Sequence, residues 1–460
     1  MLNRRRLLFS GAAITAVTAA SVPFAFPGNS PAGEEVIAWL KANAVPLATT
    51  EPGSGFQDIE FLRPIIDQAR IVSIGETTHG TREFFQIRHR LIEYCVSQLG
   101  FSMIGLEAMY GEEQALNDYV LNGKGSAANA IAGMIFWQWQ NEEMIAIVEW
   151  VRAWNLANER KVKFYGFDMQ KTKPASDRLL GYLKRLAPDL AAAIETPLAP
   201  NMVDAFATLS RLVQHKIIAQ IKHVLDRFDA ERMTWTARSS ELEWRLARQC
   251  VVVMEQLTRW ANLPARSSFR DHRNSFRDQC MADNVSALLE AEGPQTKALL
   301  LAHNEHVQRA PVSWFSPVMT FSSMGNFLHA RFGAEQAVIG FSFNQGCFRA
   351  VGTIDNDTAL HEWVVGAAPA HFVDATLART GLPLFALNLK AVPQNGSVAQ
   401  WMASKPWQRA IGIGFSHGTG NAPPWLKPYV KSGDPRDRYD VLVFVESTTA
   451  THYIPRRAKV

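Results

Sequence analysis

The chain has 460 residues, 47% of them hydrophobic and 20% charged, a length that exceeds the ~250–300 residues at which a single core stops growing. Disorder is excluded by 26 Phe and 13 Trp, and a disulfide scaffold by a count of only four Cys. The formal charge of +4 falls to +1 once Arg4, Arg5 and Arg6 are set aside, which removes the electrostatic case for a nucleic-acid partner.

In chain order, the first element is residues 1–25. Arg4-Arg5-Arg6 precede Leu7-Leu8-Phe9 and a Gly/Ala/Thr/Val stretch that ends near Pro23-Phe24-Ala25. A basic start, a modest apolar segment and small residues read as an export signal cut after Ser21 or Ala25. The stretch is too short and too weakly apolar to span a membrane. Paired Arg ahead of Leu-Leu-Phe resembles a twin-arginine signal; an ordinary secretory signal or an uncleaved anchor are the alternatives. The expected partner is then the twin-arginine export machinery, and the expected location is periplasmic or secreted. Folding before export would leave Cys95, Cys250, Cys280 and Cys347 as thiols, buried as small apolar residues.

The body of the chain alternates short apolar runs with helical patterns. Ile71-Val72-Ser73-Ile74 leads into Gly75-Glu76-Thr77-Thr78-His79-Gly80, and Ser102–Leu106 leads into Glu107. Lys163–Phe167 leads into Asp168, and Ala298–Ala302 into His303. Such runs suit buried parallel strands. Phe84, Ile87, Leu91, Cys95 and Val96 recur at helical spacing after the first run, as Met144, Ile147, Val148 and Val151 do before the third. The alternation predicts an α/β fold: a mainly parallel central sheet flanked by helices, interrupted by a helical insertion. Residues 35–174 and 293–455 form its two parts. Residues 175–292 carry long helical patterns without a strand and read as an insertion or lid. The sheet resumes at Ala337–Phe341, Leu384–Leu387 and Asp440–Val445.

In parallel sheets, ligands bind beyond the carboxyl ends of the strands. Glu76 and His79, Glu107, Asp168, and His303 with His306 all fall at that edge. The Gly75–Gly80 turn presents a carboxylate and an imidazole three residues apart. That pairing suits a base oriented by an acid; a plain capping turn at Thr78 or Thr81 is the structural alternative. His303-Asn304-Glu305-His306 fails the zincin spacing of His-Glu-x-x-His, so no metal is required, although two His beside Glu107 or Asp168 could bind one. Arg88 is a solvated or ion-paired helix residue, or a cation for a developing oxyanion. Gly414-Phe415-Ser416-His417-Gly418 matches the serine-hydrolase elbow, but Thr419–Pro424 cannot start the helix that the elbow needs. Trp137, Trp139, Trp150 and Trp154 are core aromatics or the wall of an apolar cleft.

Taken together, Ile74–Phe85, Gly105-Leu106-Glu107-Ala108, Phe164–Asp168, Arg277-Asp278 with Met281–Val285, Leu301–Val307 and Met324-Gly325 resemble the erythromycin esterases. The resemblance runs in order through most of residues 35–450. It implies hydrolysis of a carboxylic ester, the macrolactone of macrolide antibiotics, without a serine nucleophile and without a cofactor. His79 would be the base that activates water and Glu76 its orienting acid, with Glu107, Arg88, His303 and His306 lining the site. A different small-molecule ester remains an open alternative, as does a metal-dependent hydrolase or peptidase, or a haem-binding protein, built on the same Glu/His set.

Overall fold

Alternate residues of each apolar run serve different cores. In Ile71–Ile74 every residue is buried, as a strand covered on both faces requires. Ile71 joins one hydrophobic cluster with Phe167, Leu300 and Val338; Val72 and Ile74 join a second with Phe164, Leu301 and Ile339. At about 1.5–3 kcal/mol for each fully buried Leu, Ile or Phe, these two layers are what hold the sheet.

The computed structural model describes residues 30–195, 203–263, 272–313, 320–354, 357–416 and 429–455. The expected export signal, residues 1–25, lies outside them, as do His417 and Gly418 of the serine-elbow motif. Among the described residues no helix is long and apolar enough to cross a membrane.

The central sheet contains β1 (Ala44–Pro46), β2 (Ile71–Ile74), β3 (Met103–Met109), β4 (Lys163–Asp168), β5 (Ala298–Leu301), β6 (Gln336–Ile354), β7 (Asp357–Val365), β8 (Leu384–Asn388) and β9 (Val441–Thr448). Their order is β1-β8-β9-β6-β2-β5-β3-β4, with β7 paired to β6. From β9 to β4 every pairing is parallel; β1, β8 and β7 are joined antiparallel. The mainly parallel sheet is as the alternation predicts. The short β1 and the β6–β7 hairpin are additions. β1 is only three residues long and ends in Pro46, and the hairpin half of β6 is partly exposed and mixed in composition, so neither leaves an apolar run.

Between β4 and β5 the described residues are helical, from Lys173–Leu186 through Glu241–Asn262 to His272–Glu292, with no strand among them. Ser240 caps the second of these by accepting from the Glu243 N–H. Among the described residues these helices share their core with the sheet. Trp244, Val251, Met281 and Leu288 belong to the same cluster as Phe167 and Leu300 of the sheet. Three of the four cysteines are buried and Cys347 is partly exposed; all four are free thiols.

Candidate active site

The sheet order explains why the chemistry gathers where it does. β2, β5, β3 and β4 are neighbours, so the segments leaving their carboxyl ends stand side by side. β5 sits between β2 and β3, and it places His303 between His79 and Glu107. The His79 and His303 rings are 5.1 Å apart, and the His303 backbone N–H donates to Glu107 Oε2 at 3.0 Å.

The turn after β2 is shaped by close approach. A Cβ on Gly75 would lie 2.0 Å from Asn304 Oδ1, and one on Gly80 would lie 2.4 Å from the Arg349 carbonyl. Neither glycine has a positive φ, so what each supplies here is room for the close approach rather than an unusual backbone angle. Thr81 occupies the N-cap of the helix Arg82–Leu99 but makes no capping bond; its hydroxyl pairs with that of Thr78. The capping alternative for this turn therefore fails at the side-chain level.

His79 is buried, with Nδ1 2.7 Å from Glu76 Oε1. Behind this pair lies Arg88, which is fully buried. Its Nη1 donates to Glu76 Oε2, its Nε to the Gly75 carbonyl at 3.1 Å, and its Nη2 to the Ala302 carbonyl at 2.8 Å. The reading of Arg88 as a cation facing substrate is thus corrected. Each nitrogen of its guanidinium is engaged with protein, and its role is to hold the Glu76 carboxylate.

The second group of residues surrounds Glu107, which sits at a register shift near the end of β3. Burial pushes its carboxyl up, but His306, Arg277 and His79 outweigh this and hold it well below the usual range. His306 has Asp278 at Nδ1, 2.9 Å away, and Glu107 at Nε2, 3.2 Å away. Burial alone would lower its pKa; the two carboxylates raise it to about 10, so the ring is an imidazolium. Its Nε2 also lies 3.0 Å from Arg277 Nη1, which directs an N–H at it.

His303 is the opposite case. Burial is the leading cause that lowers its pKa to about 4. Its Nδ1 accepts from the Glu305 N–H at 3.3 Å, so the proton of the neutral ring belongs on Nε2, which has no partner. Two imidazoles three residues apart therefore carry different charges, as their surroundings dictate.

Sequence reasoning assigned no role to Arg277, Asp278, Glu305 or Lys431. Arg277 arrives from the helix His272–Glu292 and donates to Asp168 Oδ2 at 2.7 Å and to Glu107 Oε1 at 2.9 Å. Asp168, fully buried, also caps its own loop through Met169 and Gln170 N–H groups. Lys431 pairs with Glu305 at 3.3 Å. Arg277-Asp278 did stand in a block that carried the family resemblance, the only sequence signal for them. Among the described residues, no group of three or more His, Cys, Asp or Glu is disposed to hold a metal ion.

These side chains line a cavity of about 410 Å³, whose walls include His79, Glu107, Arg277, His303, Glu305 and His306. Phe136, Phe321, Ala410 and Ile413 form an apolar side, and Trp137 meets His79 edge-on at 6.3 Å. Trp139 is core, donating to the Glu107 carbonyl, and Trp150 stacks on Trp154 elsewhere. A mixed polar and apolar cavity of this size suits a small molecule. Ser416 is exposed and does not line it, and the base required by the elbow, His452, is paired with Glu143 at 2.7 Å in another cleft.

The profile of the erythromycin esterase family matches residues 96–448. The span includes Glu107, Arg277, His303 and His306 and begins after Glu76, His79 and Arg88, which stand on their geometry. Erythromycin esterase type II of Escherichia coli is 23% identical over 331 residues, 67% of this chain and 77% of that one. A crystal structure of a Bacillus cereus protein superposes with a TM-score of 0.79 at 22% identity, covering 91% of this chain and 98% of the other. A mutant of the erythromycin esterase EreC in its open conformation gives 0.66 at 18% identity, covering 90% and 99%. The two structures speak for the fold and the family profile for descent: this chain is a hydrolase that belongs to the erythromycin esterase family.

Proposed function

We propose that this protein hydrolyses a carboxylic ester by direct attack of water, and that its substrates are macrolactones of the erythromycin type. The observation that carries the mechanism is the Glu76–His79 pair on the cavity wall, with Nδ1 held at 2.7 Å. A carboxylate on Nδ1 fixes the proton there and leaves Nε2 as the basic nitrogen. Water bonds to the ester carbon, its proton passes to His79 Nε2, and the carbonyl electron pair moves to oxygen. Collapse breaks the carbon–alkoxide bond, and His79 returns the proton to the departing alkoxide. The new carboxylic acid and alcohol are separate molecules for a simple ester and the two ends of one opened chain for a macrolactone. No covalent enzyme intermediate is needed. The macrolide assignment rests on the family and on the named relative.

The test is mass spectrometry of erythromycin incubated with the purified protein beside His79→Ala. Gain of one water that disappears in the variant supports both parts of the reading. Hydrolysis of simpler esters alone would keep the chemistry and remove the macrolide. The paired Arg4-Arg5 supports export, and the mass of the protein recovered from periplasm tests it.

A further inference from the structure

Two cations face this cavity among its described lining residues, Arg277 and His306. An ester's tetrahedral intermediate needs a donor placed where its oxyanion forms, and the donor must have a hydrogen to give. His306 has none to spare, since Nδ1 faces Asp278 and Nε2 faces Glu107. Arg88 is turned away and engaged with Glu76 and backbone carbonyls.

Arg277 differs on one nitrogen. Its Nε lies against Asp168 at 3.2 Å, and its Nη2 is divided between Asp168 and Glu107. A guanidinium has five hydrogens, and these contacts account for three. Nη1 carries the other two: one is directed at His306 Nε2, 3.0 Å away, and no hydrogen bond among the described residues uses the second, on a side chain that lines the cavity.

We propose that Arg277 is a catalytic residue whose Nη1 binds the oxyanion formed when water attacks the ester. Asp168 and Glu107 fix the plane of the guanidinium, as a preorganised donor requires, and His306 compensates the Glu107 charge so that the Arg277 charge is not cancelled. The helical insertion therefore contributes a reacting group to the sheet-edge site. This inference rests on the ester-hydrolase reading.

The experiment compares Arg277→Lys and Arg277→Ala with wild type and His79→Ala, using erythromycin and a panel of simpler esters, with folding checked by circular dichroism. Loss of a positioned oxyanion donor predicts that Arg277→Lys, which keeps the charge but not the Nη1 geometry, loses about 10²–10³-fold in kcat with little change in KM. Added guanidinium should restore activity to folded Arg277→Ala, which a merely structural role would not allow. Near-wild-type kcat in Arg277→Lys, or no guanidinium rescue of folded Arg277→Ala, overturns the inference while leaving the His79 mechanism intact. No turnover of any ester by wild type overturns the reading and the inference together.

Discussion

The two halves of the site are built in opposite ways. The half after β2 is local: Glu76, His79 and Arg88 lie within thirteen residues and meet through a tight turn and the first turns of one helix. The half around Glu107 is assembled across the chain, with Arg277 bonded to a carboxylate 170 residues away and His306 to one 28 residues away. One pairs an imidazole with a single carboxylate that Arg88 holds from behind. The other is a cluster of buried acids balanced by Arg277 and imidazolium His306. The difference teaches that an imidazole–carboxylate pair can be prepared by a single segment, whereas a buried cluster of acids and cations needs several segments to balance its charge.

The comparison is broken most directly by His79→Ala. If the local half supplies the base, kcat for ester hydrolysis falls by about 10²–10⁴-fold, with a melting temperature close to wild type. A rate that survives would transfer the base to the other half. Arg88→Met comes next. It leaves the buried Glu76 carboxylate without its partner, so unfolding free energy should fall by about 3–5 kcal/mol in denaturant titration, along with activity. Loss of activity at unchanged stability would instead mean that Arg88 acts on substrate.

The two charged states of the histidines sharpen the contrast through pH. His306 has a raised pKa, so its contribution is fully present below the unfolded value near ~6.5 and is lost as pH rises toward 10. His303 has a depressed pKa, so its contribution is present above ~6.5 and is lost as pH falls toward 4. Each should add a slope of up to ~1.4 kcal/mol per pH unit to the stability profile on its own side. His306→Gln should flatten the alkaline limb and His303→Gln the acid limb. Crossed effects would reverse the assignment. The smallest effect belongs to Ser416→Ala, for which turnover should equal wild type and a fluorophosphonate probe should leave the protein unlabelled. Stoichiometric labelling with loss of activity would install a serine route.

Much of this was legible from one sequence because the signals are local. The runs Ile71–Ile74, Lys163–Phe167 and Ala298–Leu301 are short, apolar and followed at once by polar groups, which is what strands buried on both faces must look like. Glu76, Glu107, Asp168 and His303 could therefore be placed at one edge before any coordinates existed. For Arg88 the ion-pair alternative is the one the structure bears out, while the solvated and substrate-facing ones fail, because the approach of Ala302 and Glu76 buries it completely. Arg277 received no role because a helical insertion reveals its apolar face in its periodicity, but not which polar residue will reach over the sheet.

The sequence by itself determined the layered α/β architecture, the helical character of the described residues between 175 and 292 and the juxtaposition of Glu76 with His79, because periodicity and i,i+3 spacing are properties of a single segment. Only the tertiary structure decided that β5 lies between β2 and β3, that burial lowers the His303 pKa while carboxylates raise that of His306, and that Arg277 reaches Glu107. Those outcomes depend on burial and on charges brought together from distant parts of the chain, and no local pattern encodes them.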